Sequence, residues 1–500
     1  MSDGWLRLDR RTVLVTAAVM TGVAGGAGLP ILFGLAGDMP WWQALGWVLA
    51  GAVLLIMGGA GADYVRWRRT RYRIGPERAE LHTGLLLIKR RSLARERIRS
   101  VDLTANPLLR ILGLVKVRIG TGEHTGGGES TLELDPVSRT EGERLRRELL
   151  ARAVVDAPGT HREGELAAFD PAWIRYAPVS FVAPLLGGAA AGAVMQVSKW
   201  FGAQGEVIDW IAERFQDTPV FWVVVVLALG ALLAGVVGAL GLWVEMWFNY
   251  RLEREPGGTL RVRRGLFTTR SISIEERRLR GVELVEPLGV RLFGAARVDA
   301  VATGLVNDEE DQHTDLKTLL PPAPRAVADE VAALVLRETA APTGAPLIPH
   351  PRAARTRRLR WALGAALLPL VTLTVLGLLL TEVLLYVAAA CAVVFLPFAV
   401  LLALDAYRSL GHAISGDYLL ARSGTVRRGT VALQRGGVIG WTLKQSWFQR
   451  RAGVLTLTAT TAAGDGAYSV YDADEHEALD FASHAVPGLL APFLDRASHP

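Results

Sequence analysis

The stretch that decides the fold runs from residue 66 to residue 113 and consists of RWRRTRYRIGPERAELHTG (66–84), LLLIKRRSLARERIRSV (85–101) and DLTANPLLRILG (102–113). It directly follows an apolar run. Between residues 66 and 99, twelve Lys or Arg stand against three acids, a net charge of +9. Such a segment beside a membrane span is attracted to anionic lipid by about 1 kcal/mol per basic residue near the surface.

The basic residues of this stretch have two interpretations. Those at 66–73 are typical of a stop-transfer signal that only fixes the topology of the preceding span. Further along the chain lie Lys89, Arg90, Arg91 and Arg95. These four side chains either contact anionic lipid or a partner, or form a solvated face without a ligand.

The composition of the whole chain places the protein in the membrane class. Half of its 500 residues are hydrophobic, and they are concentrated in blocks. The formal net charge of +6 is too small to indicate a nucleic-acid binder. The chain has a single cysteine, Cys391, which lies inside an apolar run. Because there is only one cysteine, an intrachain disulfide and any multi-cysteine metal or iron–sulfur site are excluded.

Six apolar runs, each of about the 20 residues needed to cross the hydrocarbon, predict six spans in three hairpins. The hairpins cover residues 12–62, 176–248 and 361–404. In the second hairpin, residues 199–218 join the two runs and include Trp200, Trp210 and Phe215, which indicates an amphipathic helix on the outer membrane surface. Arg-rich flanks at the outer ends of the hairpins predict that both termini and all soluble segments are cytoplasmic.

Glycines in two of these hairpins have two interpretations. They are Gly22, Gly25, Gly26, Gly28, Gly187, Gly188 and Gly192. Small residues allow helices in membranes to approach closely, which favours a packing role. A lining for a transported substrate is the alternative.

The soluble segments predict three small α+β domains, at residues 66–154, 250–338 and 412–496. In the first, segments of strand character at 85–88 and 98–103, alternating apolar and charged residues at 115–119 and a return segment at 131–134 predict strands. Asp135-Pro136 is expected to end the last of them. Ser138 and Glu141 then form a capping box for a closing helix that reaches about Val154.

The three soluble segments are copies of one repeat. Copy two carries Tyr250-Arg251-Leu252 for Tyr72-Arg73-Ile74, Gly265 for Gly84, and Pro287–Gly294 for Pro107–Gly113 with one inserted residue. Copy three is degenerate: Asp417-Tyr418-Leu419 begins it, Gly424 marks its turn, and 446–453 replaces the Pro-Leu-Arg-Gly element without its proline. Its closing helix is expected at about 474–494.

These motifs resemble the bacterial pleckstrin-homology (PH) domain membrane family, specifically its large three-repeat YdbT-like type. They are the Tyr-x-Ile start, the strand–Gly–strand turn, Arg-Ile-x-Ser-Val and the Pro-Leu-x-Arg-x-Leu-Gly element. The resemblance implies an integral membrane protein with three PH-like split β-barrels, each of seven strands closed by a C-terminal helix. It also implies a role in envelope resistance to secreted or antimicrobial peptides, together with a smaller one-repeat PH-like membrane companion. Because PH-like folds host many functions, lipid binding does not follow from the fold alone.

No catalytic motif is present: the sequence lacks a P-loop, a Rossmann glycine fingerprint, HExxH and Gly-x-Ser-x-Gly. No cofactor is predicted. Residues 307–315 combine carboxylates with His313 and could bind a divalent cation, but a solvated loop is the favoured interpretation. Asp63, Glu245, Glu382 and Asp405 lie at span ends, which argues against a proton-coupled transporter.

Arg110 and Arg291, in the Pro-Leu-x-Arg-x-Leu-Gly element of copies one and two, have two interpretations. Either they hydrogen-bond within the turn and hold it in place, or they contact a lipid headgroup or a partner strand. In copy three, Trp441, Trp447 and Phe448 predict a partner-docking surface, because aromatic residues are enriched at interface hot spots. The alternatives are that these rings fill a small core or face the bilayer.

The sequence therefore predicts a non-enzymatic, membrane-anchored binding or scaffold protein. Its cytoplasmic domains engage a partner membrane protein or an anionic lipid. The alternative function is a component of a peptide or lipid export assembly, in which the spans form the path and the domains gate it.

Overall fold

A computed structural model describes residues 5–37, 39–84, 89–98, 100–120, 131–150, 164–179, 182–200, 202–304 and 317–490. The predicted strand at 85–88, the helix end at Val154 and the acidic loop at 307–315 lie outside these residues. The chain forms two compact units, residues 1–275 and 276–500. The boundary between the units falls inside the second repeat.

The first unit holds two helical hairpins and two antiparallel sheets. Its helices are α1 (Thr12–Ala36), α2 (Trp41–Arg69), α3 (Pro107–Ile111), α4 (Arg139–Leu150), α5 (Val182–Trp200), α6 (Gln204–Arg214) and α7 (Val220–Trp247). Its strands are β1 (Leu6–Arg7), β2 (Arg71–Ile74), β3 (Arg78–Thr83), β4 (Lys89–Ala94), β5 (Ser100–Ala105), β6 (Leu114–Gly120), β7 (Thr131–Ser138), β8 (Gly164–Ala168), β9 (Arg251–Glu255), β10 (Thr259–Arg264) and β11 (Thr269–Glu275).

The second unit repeats this plan with one hairpin. Its helices are α8 (Leu288–Leu292), α9 (Arg325–Leu336), α10 (Arg352–Leu379), α11 (Glu382–Arg408), α12 (Trp447–Arg451) and α13 (Glu475–Ala485). Its strands are β12 (Leu279–Pro287), β13 (Ala295–Ala302), β14 (Thr318–Pro324), β15 (Gly411–Ser415), β16 (Tyr418–Ser423), β17 (Arg427–Gln434), β18 (Val438–Lys444), β19 (Val454–Thr461) and β20 (Ala467–Asp474).

The described strands form four open sheets, and none of these sheets closes on itself. In the first unit the orders are β1-β2-β3-β4 and β7-β6-β5-β11-β10-β9-β8, and in the second they are β14-β13-β12-β17-β16-β15 and β18-β19-β20. The prediction of three closed barrels is therefore not confirmed. The physical reason is that the middle strand of one repeat offers its free edge to the next repeat, whose strand satisfies the unpaired backbone groups.

Two strand pairs carry this sharing of sheets. In the first unit β5 pairs with β11, so that Ala105 lies opposite Thr269. In the second unit β12 pairs with β17, so that Val282 lies opposite Ala432. The two large sheets thus join the second half of one repeat to the first half of the next.

The core of the first repeat lies between its two sheets. Tyr72, Leu81 and Leu93 of the four-stranded sheet and Val117 and Leu145 of β6 and α4 belong to one buried apolar cluster. The third repeat has a corresponding core that joins β16–β20 to α13. The apolar faces of the strands and closing helices are therefore buried as the alternating pattern predicts.

Each repeat contains one five-residue helix: α3, α8 or α12. Each is followed after one residue by a glycine, Gly113, Gly294 or Gly453, with φ of 69°, 67° and 62°. A residue with a Cβ rarely adopts this left-handed conformation, which accounts for a glycine at all three positions. The fourth helix residue is Arg110, Arg291 or Arg450, so the helices align without a gap.

Five helices among the described residues are long and apolar enough to cross a membrane: α1, α2, α7, α10 and α11. The predicted sixth span corresponds to α5, which has only 19 residues and is rich in Gly and Ala, with Gln196, Ser198 and Lys199 near its end. Six spans are therefore not shown. The linker helix is present as α6, which has no buried residue.

Two of the predicted packing glycines lie at helix crossings. A Cβ at Gly187 of α5 would collide with the Ala231 carbonyl of α7, and a Cβ at Gly28 would lie 3.1 Å from Val48. Gly22, Gly25, Gly26, Gly188 and Gly192 have no such neighbour within 4 Å. The close approach of α5 to α7 also uses Gly235, which was not predicted and lies against the Ala183 carbonyl.

Two predicted element ends are wrong. Strand β7 continues through Asp135-Pro136 to Ser138, because Val115 and Val137 still pair there. The last helix, α13, ends at Ala485 rather than near residue 494, directly before Val486-Pro487. Proline disfavours helical geometry in the residue that precedes it, which accounts for the early end.

Candidate anionic-ligand site

A cavity of about 430 Å³ in the first unit has a lining rich in arginine. We call it the arginine cavity. In the described part of the chain its lining residues are Leu103, Ala105, Arg110, Gly113, Leu114, Val115, Arg139, Glu143, Asn249, Arg251, Arg261, Arg263, Arg264, Gly265, Thr269, Arg270 and Ser271. Seven of these are arginines and one is an acid.

Strands β10 and β11 carry arginines on both faces of the sheet. Side chains alternate between the faces of a strand, so Arg261 and Arg263 of β10 share one face and Arg264 lies on the other. On the neighbouring strand β11, Arg270 lies opposite Arg264. Like charges placed directly opposite each other destabilise a sheet, unless a counter-charge lies between them.

One wall of the cavity carries its own counter-charges. Arg261 donates to Glu143 at 2.8 Å and to Glu255 at 3.1 Å, and Arg146 donates to Glu255 at 2.8 and 3.1 Å. Burial by itself raises the pKa of Glu143 and Glu255. The hydrogen bonds and charges of the two arginines outweigh burial, so both pKa values lie below the ordinary range. Arg261 is thereby held as a structural cation.

Arg263 has a different environment. Burial, followed by the neighbouring charge of Arg261, lowers the pKa of Arg263 below its ordinary value. Arg264 is buried with its guanidinium carbon 4.3 Å from the centre of the Trp247 ring, a cation–π arrangement. An anion in the cavity would therefore stabilise the charged guanidinium groups of Arg263 and its neighbours.

The cavity lies at the end of a candidate span. Asn249 and Gly265 line it, and the Gly265 N–H donates to the carbonyl of Phe248, directly after α7. Glu245, in the last turn of α7, accepts hydrogen bonds from the N–H groups of Phe267 at 2.9 Å and Thr268 at 2.8 Å. The part of the cavity lined by Asn249 and Gly265 is thus fixed to the domain-side end of α7.

The corresponding positions in the second unit are neutralised by acids. Arg325 begins α9 as Arg139 begins α4, and each backbone N–H donates to the glycine carbonyl that follows the short helix. However, Arg325 donates to Glu286 at 3.0 Å and to Asp329 at 2.9 Å. By strand register, Glu286 takes the place of Ala105. The excess of arginine over acid therefore distinguishes the first unit from the second.

Arg110 and Arg291 both hold structure in place. The Arg110 guanidinium donates to the Leu266 carbonyl at 2.6 Å, and Arg291 donates to Asp405 at 2.7 Å. Asp405 also accepts a hydrogen bond from the Thr425 hydroxyl at 2.8 Å. Both contacts reach segments far along the chain, so the interpretation that the two arginines hydrogen-bond within the turn is not confirmed. Arg110 in addition lines the arginine cavity.

The four basic residues predicted to contact lipid or a partner, at positions 89, 90, 91 and 95, do not form one surface. Lys89 and Arg91 line a smaller cavity of about 200 Å³ with Arg66 at the end of α2, whereas Arg90 is exposed. Arg95 donates to the carbonyls of Gly75 at 3.2 Å and Glu148 at 2.5 Å. Arg95 therefore stabilises the domain from within, and lipid contact by its guanidinium is not favoured.

The structure also separates the three aromatic residues of copy three. Trp441 packs against the buried core, 6.3 Å from the Phe481 ring centre. Trp447 and Phe448 are exposed, with ring centres 5.1 Å apart. The core alternative thus describes Trp441, whereas the other two rings remain available for an external contact.

Sequence reasoning missed Arg139, Arg261, Arg263, Arg264 and Arg270. A signal was present, because residues 261–264 contain three arginines and no acid. The pairing of β5 with β11, which completes the cavity, left no such signal. Among the described residues, no cluster of His, Cys, Asp and Glu suits a metal ion.

Comparison with known proteins gives one family and one relative. The profile described as "Bacterial PH domain" matches residues 28–153, 206–339 and 365–485. The "UPF0699 transmembrane protein YdbT" of Bacillus subtilis (strain 168) is 23% identical over 422 residues, which cover 80% of this chain and 81% of that protein. No solved structure matches.

Proposed function

We propose that this chain, which belongs to the bacterial PH domain family, is a non-enzymatic, membrane-anchored binding protein whose arginine cavity holds the headgroup of an anionic phospholipid. Its three family matches confirm the resemblance seen in its motifs. The observation that carries this proposal is the cavity itself. It has seven arginines against one acid and lies at the domain-side end of α7.

Phosphate chemistry suits this cavity. Guanidinium groups form charge-assisted, often bidentate hydrogen bonds with phosphate oxygens, and arginine is enriched where such recognition occurs. The volume of about 430 Å³ falls within the range of roughly 300–1,000 Å³ that is typical of small-molecule sites. A headgroup also reaches the site without leaving the membrane surface, because the cavity adjoins the span.

The membrane arrangement that accompanies this proposal has six spans and cytoplasmic domains. We include α5 as the sixth span because it packs against α7 through Gly187 and Gly235. Arginines occupy the last turn of α2 and the first turns of α10, on the domain side of both hairpins. The positive-inside rule then places the domains in the cytoplasm. Interaction with a smaller companion and a role in envelope resistance to antimicrobial peptides stay predictions.

Lipid binding by the purified full chain tests the proposal. Native mass spectrometry would count bound phosphatidylglycerol and phosphatidylcholine on the wild type and on the double variant Arg263→Gln with Arg270→Gln. A hydrogen bond to a charged group contributes about 1.5–3 kcal/mol, so losing two should weaken phosphatidylglycerol binding by more than about tenfold. The matched control is Arg73→Gln with Arg147→Gln, which removes the same charge from exposed positions of the same unit.

Three further measurements make the result decisive. Thermal unfolding shows whether the double variant is folded, and Arg263→Lys with Arg270→Lys, which retains the charge, should keep part of the affinity. Competition by inorganic phosphate at equal affinity would indicate a soluble phosphate compound instead of a lipid. Equal binding of phosphatidylglycerol and phosphatidylcholine, or equal binding by the cavity variant and its control, would refute the proposal.

A further inference from the structure

The short helices α3, α8 and α12 share an unusual surface. Each exposes large apolar side chains within its five residues or directly after them. The exposed fractions are 81% for Ile111, 75% for Leu292, 65% for Phe293, 59% for Trp447 and 69% for Phe448. Solvent exposure of such side chains forgoes about 25 cal/mol for each Å² of apolar surface that burial would remove from water.

In the first unit, hydrogen bonds tie α3 to the domain-side ends of two spans. Arg11, directly before α1, donates to the Leu112 carbonyl at 2.8 Å. Arg110 donates to the carbonyl of Leu266, and the Leu266 N–H donates in turn to the Glu245 carbonyl of α7 at 3.0 Å. Ile111 therefore lies where α1 begins and α7 ends.

In the second unit, α8 and α12 have corresponding positions. Arg291 of α8 donates to Asp405 in the last turn of α11. Gln449 of α12 donates to Asp472 at 2.9 Å, and Asp472 also forms an ion pair with Arg357 in the first turns of α10. Each short helix is therefore connected to a span end directly or through one intervening residue.

From this placement we propose that α3, α8 and α12 are interfacial anchors, whose exposed apolar side chains insert into the headgroup region of the bilayer on the domain side of the spans. Aromatic rings accompanied by arginine are typical of this zone. Arg451 lies over the Trp447 ring, 4.9 Å from its centre, so that the ring can enter the membrane while the guanidinium stays at the headgroup level.

The bilayer fits these surfaces better than a partner protein. The side chains differ from copy to copy, with Ile in the first, Leu and Phe in the second, and Trp and Phe in the third. Exposure and connection to a span end are kept in all three. A lipid interface accepts any apolar side chain at the right depth, whereas a protein pocket selects one shape. This inference does not depend on the arginine cavity, and it replaces the predicted partner-docking role of Trp447 and Phe448.

Fluorescence from single labelled positions in the full chain tests the proposal. Cys391→Ala provides a background without cysteine, to which Ile111→Cys, Phe293→Cys or Phe448→Cys is added. Each is labelled with the environment-sensitive probe NBD and reconstituted into phosphatidylcholine–phosphatidylglycerol vesicles. Ile439→Cys is the matched control, because Ile439 is 62% exposed on β18 but belongs to none of the three short helices.

We expect a shift to shorter wavelength and a loss of iodide quenching at all three anchor positions, with strongest quenching by shallow spin-labelled lipid. Interfacial side chains reach about 5–10 Å into the headgroup and acyl boundary, so deep spin labels should quench less. At Ile439 the probe should remain accessible to iodide. Iodide quenching at the anchor positions equal to that at Ile439 would overturn the proposal. Protection from both iodide and lipid quenchers would also overturn it, in favour of a protein contact.

Discussion

Replacement of Glu255 by Gln should destabilise the first unit through two buried arginines. Glu255 accepts both terminal nitrogens of Arg146, at 2.8 and 3.1 Å, and one nitrogen of Arg261 at 3.1 Å. Arg146 and Arg261 are only 5% and 3% exposed. Neither guanidinium can therefore recover its lost partner from bulk water.

The magnitude follows from what the substitution leaves behind. Removal of one partner from a buried ion pair costs about 3–5 kcal/mol, because the remaining charge is uncompensated. Glu143 still accepts from Arg146 at 3.2 Å and from Arg261 at 2.8 Å, which offsets part of that loss. We therefore expect Glu255→Gln to cost about 3 kcal/mol, near the lower end of that range.

The pH dependence has a defined sign. Burial by itself raises the pKa of Glu255, but hydrogen bonds and charges from Arg146 and Arg261 lower it overall. A carboxylate with a lowered pKa stabilises the fold above its ordinary pKa and loses that contribution as the pH falls through the lower value. The difference between the wild type and Glu255→Gln should therefore be full at neutral pH and shrink in acid.

Thermal unfolding of the full chain in detergent, combined with hydrogen exchange of α4 and β9–β11, measures the effect. These elements are linked through Arg146 and Glu255, so their amide protection should fall together. The control is Glu165→Gln, whose carboxylate lies 3.9 Å from Arg251 with both side chains exposed, an arrangement that contributes about 0–1 kcal/mol. A shift with Glu255→Gln no larger than that with Glu165→Gln would refute the reasoning.

Three further outcomes are expected. Gly235→Val should disrupt the packing of α7 against α5 and lower the yield of folded protein, because the new Cβ would collide with the backbone of α5. The control Gly230→Val lies on the same helix, where a Cβ has no neighbour within 4 Å, and should insert normally. Equal yields of the two variants would contradict the close crossing of α5 and α7. Burial raises the pKa of Asp102 to about 7, so ionisation of this carboxyl lowers the stability of the fold as the pH rises to that value. Asp102→Asn should therefore raise the unfolding temperature at about pH 8 and change it little at about pH 4. A larger increase at about pH 4 than at about pH 8 would contradict the burial argument. Cysteines at Arg147 and His484, both exposed, should resist an impermeant thiol reagent in intact cells and react after permeabilisation, since the domains are proposed to be cytoplasmic.

Local physical chemistry accounts for the features that were predictable from the sequence. Apolar runs long enough to cross the hydrocarbon must form helices in a membrane, because only a helix satisfies its own backbone hydrogen bonds there. Hydropathy therefore placed α1, α2, α7, α10 and α11 within a few residues of their observed limits, with two exceptions. Helix α2 continues to Arg69, beyond the predicted end at residue 62, and α10 begins at Arg352, before the predicted start at residue 361. The glycines at 113, 294 and 453 were likewise visible, because each is required by its own backbone conformation.

Tertiary structure alone decided how the repeats share their sheets and which arginines meet. Backbone hydrogen bonds at a strand edge carry no side-chain signature, so nothing in residues 100–105 indicates that β5 pairs with β11. That pairing places Arg139 of one repeat and Arg263 of the next on the same cavity. The tertiary structure also decided the structural role of single residues. Arg95 donates to carbonyls of its own domain, and Trp441 packs on the core while Trp447 and Phe448 stay exposed. The side chain alone does not determine these roles, because the surroundings of each residue come from segments distant in the chain.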